Sequence, residues 1–328
     1  MENKKLVKKS VILYHASCMD GLASASIMYE NLIAVGEDCI DCFPMQYESK
    51  KTDDEIIERL DNLIELDKNT KIFVVDFSFS KKVTEWLLEN CYHFVLLDHH
   101  KTAAQNLKGI KIRENSFFNI DLSETKSGAM LCYDFCKKNM TKNSEILEKY
   151  EELITRISDR DLWHFKYDDT KLIYEFLNFK VAKNSVSSFI DCIDTYSLDE
   201  MIEGGKILLQ FKDKNVTQVA KAFKKHPNNI MLPIVIKDDL SYIEFNILNS
   251  TNNISEIGNE VTLVNNKPTI IYFVKNDSNV ILSLRSTDEV NEKIGITMDA
   301  VAKSYNGGGH ACAAGFELSF FEFSKLCY

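Results

Sequence analysis

The chain has 328 residues, 45% of them hydrophobic, with 12 Gly and only 4 Pro. That is enough for two domains with their own cores and leaves little room for long linkers. The formal net charge of −10 argues against a protein that grips long duplex nucleic acid through its phosphates, but is compatible with a short anionic substrate beside a bound cation.

The opening Met1–Lys9 is basic but has no apolar core, so it reads as a frayed terminus and not as a targeting segment. No apolar run approaches the length of a membrane span. The nine cysteines are read as carrying no C-x-x-C motif and as reduced thiols of a cytoplasmic protein. Ser10–His15 predicts a strand, Asp20-Gly21 a turn, and Leu22–Tyr29 a helix. Cys39–Phe43 predicts a second strand, closed by Pro44. Thr52 with Glu55 forms a capping-box pattern that opens a helix running to about Leu66. Lys71–Asp76 reads as a third, buried strand. Ser80 caps a helix through Glu89, and His93–Leu97 makes a further strand into Asp98. Near-continuous apolar strands alternating with helices predict a doubly wound parallel sheet covered on both faces.

After Asp98 the pattern changes. Residues 102–126 read as irregular. Helices follow from Ser127 and over about Ser144–Ser158, then several more between 170 and 225, one of them starting after Gly204-Gly205. The last hundred residues predict a smaller mixed α/β domain. Its strands are Leu232–Ile236, Ile243–Ile247, Glu260–Val264, Thr269–Val274 and Val280–Arg285, with a helix near Ile294–Ser304 and an ending on Gly307-Gly308-Gly309-His310. Trp86 and Trp163 read as core or domain-packing residues.

The chemistry gathers where strands end. The first strand delivers His15, Cys18 and Asp20, the third Asp76, and the fourth Asp98, His99 and His100; a later helix end delivers Asp159. Ligands in open α/β sheets gather at the carboxyl ends of the strands. Several buried carboxylates together imply a cation, and mixed carboxylate and imidazole donors suit manganese, magnesium or zinc. Two such ions bridged by a shared carboxylate suit phosphoryl chemistry. Ser283-Leu284-Arg285-Ser286 has the makings of a phosphate clamp. The run Gly307-Gly308-Gly309-His310 would let backbone amides approach a phosphate or a base.

In order along the chain, His-x-x-Cys-x-Asp-Gly at 15–21, Val-Val-Asp at 74–76, Asp-His-His at 98–100 and Ser-Asp-Arg-Asp at 158–161 resemble the four motifs of the DHH phosphoesterase family. Ser283–Ser286 and Gly307–His310 resemble the family's associated C-terminal substrate domain, and Ser255–Asn259 resembles a segment of its small-oligonucleotide branch. The resemblance implies a DHH domain over 1–195, a helical connector over 196–228 and a substrate-binding domain over 229–328, with a cleft between the two domains. It implies one or two divalent metals, usually manganese, with magnesium or zinc as alternatives. Asp20, Asp76, His99 and Asp159 are implied as metal ligands, with Asp98 ligating or supporting. His15 and Cys18 complete the set, and Asp76, His99 and His100 form the catalytic group. Arg285, Ser286, Gly307, Gly308, Gly309 and His310 are implied to bind the substrate phosphate or terminal nucleotide. Cys18 stands where the common first motif has Asp, and is either a soft ligand or a small apolar residue.

The implied activity is metal-dependent hydrolysis of phosphoester bonds in short oligonucleotides or small nucleotides: linear or cyclic dinucleotides, or 3′-phosphoadenosine 5′-phosphate. The alternative is a catalytically weak nucleotide sensor on the same fold, its metal site weakened by Cys18. Neither reading calls for a membrane, and nothing in the sequence names an oligomer surface.

Overall fold

A computed structural model describes residues 9–37, 39–48, 51–140, 144–236 and 239–326. The chain divides into two units, Met1–Leu209 and Gln210–Tyr328.

In the first unit, β1 (Lys9–His15), α1 (Met19–Ala34), β2 (Cys39–Met45), α2 (Asp53–Ile64), β3 (Lys71–Val75), α3 (Lys81–Asn90) and β4 (His93–Asp98) alternate along the chain. They are followed by α4 (Lys101–Asn106), β5 (Ser116–Ile120), α5 (Gly128–Asn139), α6 (Ser144–Asp161), α7 (Thr170–Lys180) and α8 (Val186–Thr195). The five strands form one parallel sheet in the order β2-β1-β3-β4-β5. Successive strand residues face opposite sides, and both sides here are apolar. Ile12, Tyr14, Phe73, Val75, Val95 and Leu97 join a core with α1, α5, α6, α7 and α8. Val11, Leu13, Ile72, Val74, Phe94 and Leu96 join a second core with α2 and α3. The capping box of Thr52 and Glu55 forms, and Ser80 caps α3.

Several expectations for this unit are corrected. Residues 102–126 are not irregular throughout: α4 and the edge strand β5 lie there. Helix α1 begins at Met19, so Asp20 and Gly21 belong to its first turn. The second strand runs through Pro44 to Met45, which an edge strand tolerates. Cys39-Ile40-Asp41-Cys42 does have the C-x-x-C spacing. Three positions apart in an extended strand the two thiols face opposite sides, and both are free.

A long helix, α9 (Leu198–Lys225), contains the division between the units. It does not start after its glycines but runs through them. A Cβ at Gly205 would sit 2.1 Å from the Leu172 carbonyl, and one at Gly204 would sit 2.6 Å from the Phe176 ring. The glycines therefore serve close packing against α7.

The second unit contains β6 (Asn229–Ile236), β7 (Asp239–Asn249), α10 (Ile254–Asn265), β8 (Thr269–Val274), β9 (Asn279–Arg285), α11 (Asp288–Ile294), α12 (Met298–Lys303), β10 (Gly308–His310), β11 (Ala313–Ser319) and α13 (Phe320–Leu326). Its sheet has the order β10-β11-β9-β8-β7-β6, with β7 and β8 parallel and the other neighbours antiparallel. Residues 260–264 lie in α10, not in a strand. Parallel neighbours need a crossover connection, and α10 is that connection between β7 and β8. The helix expected over Ile294–Ser304 is two helices parted at Gly295 (φ +74°). One face of the sheet packs Leu232, Phe245, Ile270, Leu282 and Leu284 with Met298 and Val301. On the other, Ile271 packs with Ile257 and Val261 of α10 and with Val216, Ala220 and Phe223 of α9. Among the described residues no helix is long and apolar enough to cross a membrane.

Candidate metal centre

The order β2-β1-β3-β4-β5 reverses direction between β1 and β3, and ligands of doubly wound sheets sit at that reversal. His15 ends β1, Asp20 lies in the first turn of α1, Asp76 follows β3, and His99 and His100 follow Asp98 at the end of β4. Asp161 closes α6.

Asp76 is the hub. Its backbone is left-handed (φ 53°), a conformation Asp tolerates better than most residues. The His15 Nδ1 lies 3.5 Å from Asp76 Oδ2, and the His99 Nε2 lies 3.2 Å from Asp76 Oδ1. The same His99 nitrogen is 3.4 Å from Asp161 Oδ2 and 3.9 Å from Asp20 Oδ2. Asp20 is held by one oxygen: its Oδ1 accepts hydrogen bonds from the Ser127 hydroxyl (2.5 Å) and the Ala129 amide (3.2 Å). Glycines let these groups close up. A Cβ at Gly128 would sit 2.4 Å from the Asp76 Cβ, and one at Gly21 would sit 2.4 Å from the His15 carbonyl.

The electrostatics are those of a crowded acid cluster. Burial, with repulsion from Asp76 and Asp161, raises the Asp20 pKa well above the usual carboxylate range. Burial and then Asp76 raise Asp161 as well. Burial would raise Asp76 too, but the adjacent His15 and His99 imidazoles outweigh it and hold this carboxyl below its usual range. Burial works against a charge on His99, yet Asp76, Asp20 and Asp161 push its pKa up to about 9. Cys18 is pushed up by burial and by Asp76, Asp20 and Asp161, so it is a thiol rather than a thiolate unless a cation displaces the proton.

This donor set fits a divalent cation. Asp20 and Asp76 are each 1% exposed, yet among the described residues none gives a hydrogen bond to Asp20 Oδ2 or to either oxygen of Asp76. Unpaired buried carboxylate oxygens are costly. Among the described residues, three sets of side chains place ligand atoms within 4.8 Å of one another: His15, Cys18 and Asp76; Asp76, His99 and His100; and Asp20, His99 and Asp161. Asp76 belongs to two of them, as a bridging carboxylate would.

Two expected ligands take other positions. Asp159 is not brought into these sets. Its carboxylate accepts hydrogen bonds from the Lys166 amide (2.9 Å), the Tyr167 amide (3.3 Å) and the Thr170 hydroxyl (2.6 Å). Asp161, two residues on, stands in the cluster instead. Asp98 is fully buried and also stands outside the sets. Its Oδ1 accepts from the amides of His99 (2.8 Å) and His100 (3.2 Å) and from His100 Nδ1 (2.7 Å), so it fixes the backbone of both residues and orients the His100 imidazole. Trp163 is not a core residue: it is 66% exposed.

The six residues expected to meet substrate lie in the second unit. Arg285 on β9 and His310 on β10 both register with Ala313 on β11, which puts them on one face of the sheet about two strand spacings apart. The Arg285 Nη2 donates to the Ser255 hydroxyl (2.9 Å), and its stem lies against Gly258, where a Cβ would sit 2.6 Å from Arg285 Cγ. Ser286 is buried, its amide bonded to the Cys312 carbonyl. Gly307 and Gly309 are needed for packing, since Cβ atoms there would sit 2.2 Å from the Gly315 carbonyl and 2.5 Å from the Ala314 Cα. A Cβ at Gly308 would meet nothing within 4 Å.

The sheet and its rim thus define a doubly wound α/β protein with a candidate metal centre at the strand reversal. Residues 9–156 match the model of the DHH family, N-terminal domain, a span that includes Asp20, Asp76 and Asp98–His100 and stops before Asp161. An uncharacterized protein of Acanthamoeba polyphaga mimivirus is 24% identical, over 94% of this chain and 67% of its own length. An exopolyphosphatase-related protein from Bacteroides fragilis has a similar structure at 15% identity and a TM-score of 0.51, covering 98% of this chain and 90% of that one. CDC45 from Entamoeba histolytica also has a TM-score of 0.51, at 10% identity, covering 98% and 94%. At such identities the likeness is one of fold.

Proposed function

We propose that this chain is a divalent-metal-dependent phosphoesterase that hydrolyses phosphoester bonds of short oligonucleotides or small nucleotides. Linear or cyclic dinucleotides and 3′-phosphoadenosine 5′-phosphate are the substrates of choice. The observation that carries the reading is the set of buried oxygens of Asp20 and Asp76 that receive no hydrogen bond from the described residues and converge on His99 and Asp161. The match of residues 9–156 to the DHH N-terminal domain supports it, as does a net charge of −10 that disfavours long nucleic acid.

On this reading Asp20, Asp76, His99 and Asp161 hold the metal, manganese in the first instance, and His15 and Cys18 with Asp76 offer a second position. Bound divalent cations would supply charge to a phosphoryl oxygen and acidify a water. Asp98 fixes His100 through Nδ1 and raises its pKa against the effect of burial. His100 is thereby held as a proton donor, through its other nitrogen, toward the leaving oxygen. Arg285, Ser286, His310 and the backbone of Gly307–Gly309 bind the substrate phosphate or terminal nucleotide.

The test is a substrate panel in manganese, magnesium or zinc: a short RNA, the matching DNA, a cyclic dinucleotide and 3′-phosphoadenosine 5′-phosphate. Asp76→Asn keeps the shape and tolerates the left-handed backbone. It is expected to lose at least about a hundredfold in turnover, since residues that merely support a ligand are worth 10- to 100-fold. Unchanged turnover in that variant rejects the assignment. Tight nucleotide binding without cleavage by the wild type favours the sensor reading.

A further inference from the structure

Beyond Asp161 the chain turns through a loop that the metal centre does not use. Trp163 (φ 59°) and Phe165 (φ 51°) both have left-handed backbone. That is an outlier for bulky side chains, and such outliers cluster at functional sites. Asp159 holds the loop in this form. Its carbonyl accepts from the amides of His164 (2.9 Å) and Phe165 (3.4 Å), while its carboxylate takes the next two amides. The product of this arrangement is an indole presented to solvent, 66% exposed.

The indole is not alone. The Arg160 guanidinium lies 4.2 Å from the Trp163 ring centroid, 4.8 Å from that of Tyr174 and 5.5 Å from that of Phe165. Phe165 meets Trp163 edge-on, with centroids 5.0 Å apart. Among the described residues no carboxylate pairs with Arg160, so its charge is available to an incoming anion. Tyr174, also in contact with the guanidinium, lines a cavity of about 250 Å³ together with Ser17 and Cys18. Asp161, whose Oδ2 is 3.4 Å from His99 Nε2, is two residues from Trp163, at most about 7 Å of backbone.

We propose that Arg160 and Trp163 form a stacking platform for a nucleobase of the substrate, adjacent to the phosphoester held at the metal centre. The proposal rests on the nucleotide phosphoesterase reading and adds the residues that hold the base. A base offers the flat π face that an exposed indole takes, and its phosphate offers the charge that Arg160 takes. A protein partner would need a contiguous apolar surface. In this loop the aromatic residues Trp163, Phe165 and Tyr167 alternate with His164, Lys166 and Asp168, so the apolar surface is broken by polar and charged side chains.

Two readouts test it. Trp86→Phe leaves Trp163 as the single tryptophan, so its fluorescence reports the platform directly. Adenosine 5′-monophosphate is expected to quench it, and ribose 5-phosphate, which has the phosphate but no base, is not. Equal effects of the two ligands, or none, overturn the proposal. In kinetics, Trp163→Leu is expected to raise KM for a dinucleotide about tenfold, as base stacking is worth, with kcat little changed and Trp163→Phe partly restoring it. An abasic dinucleotide should be indifferent to the substitution. If Trp163→Leu weakens both substrates alike, the residue is structural. If the wild type cleaves neither substrate, the phosphoesterase reading fails, and the fluorescence titration still decides whether the platform binds a base.

Discussion

Asp159 and Asp161 are separated by one residue at the end of α6 and do opposite work. Positions two apart on a helix point to nearly opposite sides, so only one acid of Ser158-Asp159-Arg160-Asp161 can face the cluster. Asp159 is 5% exposed and accepts three hydrogen bonds from the following loop and α7. Burial opposes its charge, but the Thr170 hydroxyl and the Lys166 amide outweigh this and lower its pKa. Asp161 has a side chain one quarter exposed and points at His99. Removing a buried acceptor strands its donors at about 1–3 kcal/mol each. Asp159→Ala is therefore expected to lose about 3 kcal/mol in urea unfolding. Asp161→Asn should unfold like the wild type but bind manganese at least about tenfold more weakly by calorimetry. The reverse pattern would return the ligand role to Asp159.

At the scale of the element, the start of α5 is a part of the metal centre that the strand-end motifs do not mark. Ser127 accepts the Met130 amide as an N-cap and donates its own hydroxyl to Asp20. Gly128 follows because its Cβ would collide with Asp76. Gly128→Ala is expected to cost about 1–3 kcal/mol of stability, as overpacking does, and to weaken metal binding in the same variant. An alanine there that leaves both unchanged would show that the contact relaxes freely. The central strands were legible because their apolar runs are continuous, and the acids and imidazoles after them stand out against those runs. Three features were not. Val261, Thr262 and Val264 give α10 the composition of a strand, and only its place between two parallel strands makes it a helix. Ser116–Ile120 is half-exposed, so β5 lacks the apolar run that marks its neighbours. Gly204 and Gly205 resemble a helix boundary, and their reason lies in α7, some thirty residues earlier in the chain.

For the molecule as a whole, the cluster ties folding to protons and to metal. Asp20, Asp161 and His99 all have raised pKa values in the folded protein. Each therefore binds protons more tightly folded than unfolded, and the stability this confers is complete below the unfolded pKa. It is lost as pH rises through the folded one. For His99 the window runs from its ordinary value near 6.5 to about 9. Asp76 and Asp159 have lowered values. Their contribution is lost only as pH falls below the ordinary carboxylate range, outside that window. Metal-free protein is thus expected to lose stability between pH 6.5 and 9, by about 1.4 kcal/mol for each unit of displacement at most. A cation takes the place of the same protons, so its affinity rises over this range. Saturating manganese should flatten or invert the slope in stability measured by urea unfolding at a series of pH values. His99→Gln should reduce the metal-free slope without manganese, leaving the part that belongs to His100, whose pKa is raised as well. A metal-free stability that stays level across the window, or a slope that manganese leaves untouched, would mean that the acids around Asp76 do not share their site between protons and a cation.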